Sequence, residues 1–314
     1  MAERVVITGG AGFVAIHAAE VALSRGIAVT LVDVRDPPPE LARLVPGATM
    51  VRADIRDAEQ VAGACPAGVP IIHCAALVGP QAGKAEPYRA LEINVMGTAR
   101  LLERVRDAGG RLVHVSTATL YGHRPDLAVL SEDDHPSPLG IYDASKLMSE
   151  TLCTQYRATY GVQATSVRTG FVFGFGSRIG EYFIPRVLAG EAVREPCGRD
   201  HPCDFTCVED LAEGLVAAAC AQDLPEPVYN VTGGRLHTRG DFAEAVRRAL
   251  PQANIEQGPG VDPARHLRGA CDIGRARRDL GYRPRQSLDS GIAGWIKRAR
   301  GAVPAPMPAG GAAS

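Results

Sequence analysis

The stretch Val5-Val-Ile-Thr-Gly9-Gly-Ala-Gly12-Phe-Val-Ala15 decides the fold, because an apolar run leads into three glycines and then into a helical pattern. Glycines allow a tight turn and a close approach of the backbone to a pyrophosphate, whose charge is stabilised at a helix N-terminus. A glycine-rich turn by itself can be only a turn. The order strand, glycine turn, helix predicts a dinucleotide-binding unit.

An acidic residue follows at the expected distance. Asp33 ends the second apolar run, about twenty residues after the glycine loop, where a carboxylate accepts hydrogen bonds from the adenosine ribose and repels a 2′-phosphate. We therefore predict NAD as the cofactor in preference to NADP. Arg35 argues the other way, since an arginine there could pair with that phosphate, and a purely structural role for Asp33 is the remaining alternative.

Composition limits the class of protein. The chain has 314 residues, enough for one large domain or two modest ones, with 46% hydrophobic and 22% charged residues and a formal net charge of -1. That charge argues against a nucleic-acid or anionic-membrane partner. The first residues do not resemble a signal peptide, and no apolar run is long enough to span a bilayer, so we expect a cytoplasmic protein.

The eight cysteines predict neither disulfides nor a metal site. A reducing compartment disfavours disulfides. Cys197, His201, Cys203 and Cys207 form the tightest group, but they contain no Cys-x-x-Cys pair and match no usual zinc spacing.

The alternation of short apolar runs with helical periods predicts an α/β fold, a doubly wound parallel (Rossmann) sheet with a smaller C-terminal α/β substrate-binding cap. Residues 1–170 are the predicted dinucleotide-binding domain, to which later segments return, 171–300 are mainly the cap, and 301–314 are a predicted disordered tail. The predicted strands are residues 5–7, 28–32, 71–74, 112–115 and 164–167. The predicted helices are residues 86–107, 141–160, 208–221, 239–250 and 287–300.

The second of these helices carries Tyr142 and Lys146, four residues apart and therefore on one helix face. A neighbouring cation lowers the pKa of a phenol toward the range in which it can act as a base. Alone, Tyr-x-x-x-Lys is a weak pattern that any amphipathic helix can carry. Downstream of a dinucleotide loop it indicates a catalytic pair.

These motifs together resemble the extended short-chain dehydrogenases/reductases of the NAD-dependent epimerase/dehydratase type, over roughly residues 4–300. The phosphate loop is residues 8–14, with Ala15 where a third glycine is usual. The resemblance implies further cofactor contacts from the Ala53-Asp-Ile-Arg-Asp57, His73-Cys-Ala-Ala76 and Asn94-Val-Met-Gly-Thr98 motifs. The implied cofactor-binding residues are Gly9, Gly12, Phe13, Val14, Asp33, Asp54, Ile55, Cys74, Ala75, Ala76, Asn94, Tyr142 and Lys146.

The resemblance also implies a catalytic set. In Ser116-Thr-Ala-Thr-Leu-Tyr-Gly122, Thr117 takes the place of the family's Ser/Thr, which hydrogen-bonds the substrate oxygen. Phenolate Tyr142 takes the hydroxyl proton while a hydride passes to nicotinamide, and Lys146 lowers the tyrosine pKa and holds the ribose. The alternative is that these residues have structural roles only, with Thr117 ending a strand and Asn94 capping a helix.

Departures from the family pattern bear on the reaction. Family dehydratases carry Asp-Glu directly after the active-site threonine, where this chain has Ala118-Thr119, and the decarboxylases' glutamate is missing too. Nucleotide-sugar epimerases place an asparagine and an arginine on the diphosphate, where this chain has Phe171 and Cys203. Arginines of nearby loops, such as Arg178, either compensate or are ordinary surface charges.

The sequence therefore favours an NAD-dependent oxidoreductase that transfers a hydride between nicotinamide and a secondary hydroxyl or ketone of a sugar, sugar acid or hydroxy acid. The predicted substrate contacts are Thr117, Ala118, Phe171 and Arg178. The alternative is an NAD-dependent sugar or nucleotide-sugar epimerase with transient oxidation. A non-catalytic NAD-sensing regulator is disfavoured, because a regulator has no need of Thr117, Tyr142 and Lys146.

The resemblance implies one macromolecular partner, a second copy of the chain. Family members pair through two long helices, which correspond to residues 86–107 and 141–160 here. Packing of these helices on the sheet explains their apolar stripes equally well.

Overall fold

The computed structural model describes residues 2–177 and 183–302. Its strands are β1 (Arg4–Thr8), β2 (Ala28–Asp33), β3 (Thr49–Arg52), β4 (Ile71–His73), β5 (Leu112–Val115), β6 (Ala164–Arg168), β7 (Phe171–Phe173), β8 (Val193–Glu195), β9 (Pro202–Cys207), β10 (Val228–Asn230), β11 (Leu236–Thr238) and β12 (Ile255–Gln257). Its α-helices are α1 (Phe13–Ser24), α2 (Pro39–Ala42), α3 (Ala58–Ala64), α4 (Pro80–Ala85), α5 (Pro87–Ala90), α6 (Gly97–Ala108), α7 (Ile141–Tyr160), α8 (Ile184–Leu188), α9 (Val208–Cys220), α10 (Arg239–Ala249), α11 (Gly274–Asp279) and α12 (Leu288–Ala302).

The central sheet has seven parallel strands in the order β3-β2-β1-β4-β5-β6-β10. The chain moves outward from β1 in one direction and from β4 in the other, so the order reverses between these two neighbours. In such sheets ligands bind beyond the carboxyl ends of the strands at this reversal. The predicted doubly wound Rossmann fold is confirmed.

Helices cover both faces of the sheet. Val5 and Ile7 of β1 belong to the buried cluster that includes α1 and α9, whereas Val6 belongs to the cluster that includes α3, α6 and α7. Successive side chains of a strand point to opposite faces, so a continuous apolar strand requires cover on both sides. Each such buried aliphatic side chain stabilises the fold by roughly 1.5–3 kcal/mol.

The helix predicted for residues 86–107 is divided by a π-helical turn, Leu91–Met96, between α5 and α6. The Asn94 carbonyl accepts hydrogen bonds from the hydroxyls of Thr98 (2.5 Å) and Ser149 (2.8 Å). These side-chain donors compete with the regular backbone ladder, and π-helical turns are frequent at functional sites. The helix predicted for residues 141–160 has those bounds, and Gly161 ends it in the left-handed conformation (φ 67°).

The later part of the chain forms smaller sheets. β9 lies between β11 and β7 in a three-stranded sheet, and β8 pairs with β12. Two segments return to the central sheet: α9 packs against α1, and β10 extends the sheet beside β6. We therefore propose a domain boundary near residue 170, with α9 and β10 assigned to the first domain.

The end of α12 corrects one prediction. The helix continues to Ala302, so the first two residues of the predicted tail are helical, and residues 303–314 lie outside the described part of the chain. Within residues 2–177 and 183–302, no helix has both the length and the apolar character that crossing a membrane requires.

Candidate active site

The site lies at the carboxyl edge of three adjacent strands. The glycine loop follows β1, the segment from Cys74 to Leu77 follows β4, and Thr117 follows β5. Because parallel strands end at the same edge, these three segments meet there, beside the reversal of strand order.

The glycine loop is shaped for a phosphate. Gly9 has φ 72°, and a Cβ atom there would lie 2.6 Å from the backbone nitrogen of Ala75, while a Cβ at Gly12 would lie 2.9 Å from the Gly9 carbonyl oxygen. Only glycine therefore fits at these positions. α1 begins at Phe13 with no side-chain cap, so the N–H groups of its first turn, including those of Phe13 and Val14, are available to an anion.

Asp33 holds this loop in place. One carboxylate oxygen accepts a hydrogen bond from the Ala11 N–H (3.0 Å), and the other accepts from the Arg35 N–H (3.2 Å). Each carboxylate oxygen has a further lone pair, and the side chain is partly exposed. The arrangement leaves room for the predicted hydrogen bonds to ribose hydroxyls.

Asp54 and Ile55 lie at the other predicted end of the dinucleotide. The Asp54 carboxylate is paired with the Arg56 guanidinium (2.6 Å), whose hydrogen bond lowers the pKa of Asp54. Ile55 is buried against α6, where a Cβ at Gly97 would come within 2.5 Å of its Cδ1 atom. Glycine at position 97 thus allows the helix to lie against Ile55.

Asn94 is buried and makes its amide hydrogen bonds within the protein. Its Oδ1 accepts from the Leu77 N–H (2.7 Å), and its Nδ2 donates to the Leu77 carbonyl (3.2 Å) and to Ser145 Oγ (2.8 Å). Ser145 Oγ in turn donates to the Tyr142 carbonyl (2.7 Å). Asn94 lies inside the π-helical turn and joins the loop after β4, with the partly exposed Cys74, Ala75 and Ala76, to the start of α7.

Lys146 is buried on α7 with its Nζ 2.9 Å from Nε2 of His114. Burial lowers the pKa of Lys146 to about 8, and burial together with the Lys146 charge holds the pKa of His114 well below its usual value. His114 is therefore neutral and accepts the hydrogen bond from Lys146. Its other ring nitrogen, Nδ1, then donates to Ser166 Oγ (3.1 Å).

The Tyr142 phenol does not have the lowered pKa that its spacing from Lys146 predicts. Burial raises the pKa of the Tyr142 phenol, and the neighbouring Asp143 carboxylate adds to the increase. The ammonium of Lys146 is bonded to His114 and does not offset these two effects. Tyr142 is therefore a protonated phenol at neutral pH.

Thr117 takes part in a chain of hydroxyl groups that sequence reasoning missed. Its Oγ1 lies 3.0 Å from Oγ1 of Thr119, which donates to Oδ1 of Asp143 at 2.6 Å. α7 thus brings a carboxylate to a stretch in which the sequence has none. The adjacency of Asp143 to Tyr142 is the signal that could have found it, as the closeness of His114 to Ser116 could have found His114.

A cleft that is partly open to solvent adjoins this chain of hydroxyl groups. The predicted substrate residues Ala118 and Phe171 line it, together with Thr119, Cys203, Asp204, His266 and Arg268. Arg178 lies outside the described residues.

Arg268 and Asp204 are among the ionisable groups of the cleft that the sequence did not single out. Arg268 donates to the Gly122 carbonyl (3.1 Å), and burial lowers its pKa. Asp204 accepts from Thr232 (2.7 Å) and from the Cys271 N–H (3.0 Å) through one oxygen, and burial raises its pKa to about 6. An arginine and a buried carboxyl with a raised pKa can both orient a polar substrate.

Neither a metal cluster nor a disulfide is found in the described ranges. His201 and Cys207 are buried in the strand region of the cap, and their surroundings do not bring three ligand-type side chains together there.

Comparisons with known proteins agree with this geometry. The model of the NAD-dependent epimerase/dehydratase family matches residues 5–232. UDP-glucose 4-epimerase of Corynebacterium glutamicum is 30% identical over 310 residues, 90% of this chain and 91% of that protein. UDP-glucuronic acid decarboxylase 1 of Danio rerio is 28% identical over 307 residues, 92% of this chain and 71% of that protein.

A solved structure matches nearly the whole chain. The UDP-glucose 4-epimerase of Thermus thermophilus, determined in complex with NAD, is 30% identical in sequence and has a TM-score of 0.82. The match covers 96% of this chain and 100% of that chain. The glycine loop, the open N-terminus of α1 and Asp33 fit the same cofactor. The chain therefore belongs to the NAD-dependent epimerase/dehydratase family, which confirms the predicted family, fold and cofactor.

Proposed function

We propose that the protein is an NAD-dependent nucleotide-sugar epimerase, which oxidises a secondary hydroxyl of its substrate, lets the sugar reorient, and reduces the ketone from the opposite face. The observation that carries the proposal is the meeting of the glycine loop, Thr117 and Tyr142 at one sheet edge beside a cleft that Asp204 and Arg268 line. The relatives named above act on UDP-sugars, which favours the same class of substrate here.

The bound nicotinamide would supply the acceptor and donor of the hydride. The chain's own residues do the remaining work. The phenolate form of Tyr142 removes the proton from the substrate oxygen, and the phenol returns it. Thr117 holds that oxygen, and Lys146, which donates to His114, would also bind the nicotinamide ribose. Asn94 acts through the loop and α7, which it joins, and is a positioning residue.

A second candidate is the plain dehydrogenase that the departures from the family pattern favour. Phe171 and Cys203 line the cleft and offer a diphosphate no charge-assisted donor. Arg268, from another loop, supplies such a donor in the same cleft. The residues at positions 171 and 203 therefore do not by themselves exclude a diphosphate. The comparisons favour epimerases and decarboxylases and give the dehydrogenase no support.

One assay separates these candidates. The purified protein is incubated with UDP-glucose or UDP-galactose and NAD, with the sugar followed by NMR and the reduced nicotinamide by absorbance. An epimerase forms the second sugar without net reduction of NAD. Stoichiometric reduced nicotinamide would identify a dehydrogenase, and a negative result with nucleotide sugars, free sugars, sugar acids and hydroxy acids would contradict both candidates.

We also propose a homodimer through the helices from α5 to α7. Tyr88, Met96 and Met148 are large apolar side chains of these helices with 73%, 57% and 48% of their surface exposed, so packing on the sheet does not account for them. Light scattering should give the mass of two chains, and Met148→Glu should give the mass of one. A single-chain mass for the unmodified protein would reject the dimer.

A further inference from the structure

We propose that Asp143 fixes the direction of the hydrogen bonds from Thr119 to Thr117, so that Thr117 meets the substrate oxygen as an acceptor. The inference rests on the proposed function for its substrate. The direction of the hydrogen bonds is a property of the protein alone and can be measured separately.

The direction follows from counting protons. An ionised carboxylate only accepts, and the hydroxyl of Thr119 has a single proton, which it gives to Asp143 at 2.6 Å. In the 3.0 Å contact between the two threonine hydroxyls, the donor must then be Thr117. The Thr119 N–H also donates to Thr117 Oγ1 (3.2 Å). Thr117 is left with one lone pair and no proton for a ligand.

An acceptor at this position distinguishes the two forms of the substrate. The alcohol has a proton to donate to Thr117, whereas the ketone has only lone pairs and is repelled. Asp143 therefore shifts the bound equilibrium toward the alcohol, and Tyr142 remains the donor to the ketone. In an epimerase this bias keeps the oxidised sugar short-lived, before it can leave the cleft.

Groups besides Thr119 face Asp143 within residues 2–177 and 183–302. Tyr142 precedes it on α7, the guanidinium of Arg268 interacts with it electrostatically from the opposite loop, and the Leu139 N–H donates to its second oxygen (3.3 Å). The last contact gives Asp143 a possible structural role, because it satisfies a backbone group just before the first turn of α7. A test must separate that role from the hydroxyl chain.

Thr119→Val and Asp143→Asn make this separation. Thr119→Val leaves the contact between Asp143 and Leu139 intact but removes the hydroxyl that links Thr117 to Asp143. In Asp143→Asn, the amide can donate to Thr119, which reverses the direction of the hydrogen bonds. In both variants Thr117 can turn its proton toward the substrate. With UDP-sugar and NAD, the fraction of enzyme-bound reduced nicotinamide should rise about fivefold in each variant. A fivefold change is about the effect of one hydrogen bond on an equilibrium.

The double variant and a conservative control complete the kinetic test. Because both changes break one chain, Thr119→Val/Asp143→Asn should show about the same rise as either single variant. Thr119→Ser keeps the hydroxyl and should match the unmodified protein. If Thr119→Val also matches it while Asp143→Asn only lowers Tm, Asp143 merely supports the helix and the proposal is wrong.

Neutron diffraction of the deuterated protein tests the direction without any substrate. Deuterium is expected on Thr119 toward Asp143 and on Thr117 toward Thr119. A deuterium atom on Thr117 that points into the cleft would overturn the proposal. Failure of every UDP-sugar to react would instead reject the proposed function, and the neutron map would still decide the direction.

Discussion

Tyr142→Phe is expected to lower kcat by roughly 10³-fold, since general acid–base groups contribute about 10²–10⁴ to the rate. The variant removes one oxygen, and the backbone contacts of residue 142 with Ser145 and with α4 at Gly83 are unaffected. The glycine loop and Asp33 belong to other elements than Tyr142, so NAD affinity should change little. Single-turnover reduction of bound NAD, with NAD binding measured by calorimetry, checks both statements.

The pH dependence gives a second signature of the same residue. Burial and Asp143 raise the pKa of Tyr142, so the phenolate needed for oxidation is scarce at neutral pH and becomes more populated as the pH increases. The rate of the oxidation half-reaction should therefore rise with pH in the unmodified protein and lose that rise in Tyr142→Phe.

Tyr160→Phe is the matched control, because Tyr160 lies on the same helix and is exposed. It should keep full turnover. If Tyr142→Phe also retained turnover, the proton would be transferred by another group, and the catalytic assignment of Tyr142 would have to be withdrawn.

The parts of the site that the sequence predicts depend on local geometry. Gly9 marks a turn that only glycine fits, and residues 141–160 have a helical period that ends at Gly161, so loop and helix are both readable from neighbouring residues. The motifs then place Thr117 and Tyr142 at the edge where β5 ends and α7 begins. None of these inferences needs a contact between residues distant in sequence.

The parts that the sequence does not predict depend on contacts across the fold. At the π-helical turn, Ser149 of another helix donates to the Asn94 carbonyl, a contact between residues 55 positions apart. Lys146 is bonded to His114 of β5, 32 residues away, and this contact is what separates its charge from the tyrosine. A pattern of spacing shows which side chains share a helix face. It does not show which side chains of other elements form hydrogen bonds with them.

Lys146→Met should abolish most turnover and yet stabilise the protein at neutral pH. The folded protein lowers the pKa of Lys146 from 10.5 to about 8, so the unfolded chain binds this proton more tightly than the folded one. Holding the charge inside the fold therefore costs about 3 kcal/mol at pH values below the folded pKa. Loss of the hydrogen bond to His114 offsets about 1 kcal/mol of the gain.

The sign of the pH dependence makes this prediction specific. Between about pH 8 and 10.5 the folded protein loses the proton while the unfolded chain keeps it, so the charging cost disappears over this range. The stability advantage of Lys146→Met, from urea unfolding of both proteins at each pH, should shrink as the pH rises through this window. Lys297→Met, at an exposed lysine of α12, should show no such advantage. The prediction is wrong if Lys146→Met has no greater free energy of unfolding at neutral pH, or if its advantage grows with pH. Either result would mean that the surroundings of Lys146 stabilise its charge, and that the fold loses no stability by holding it.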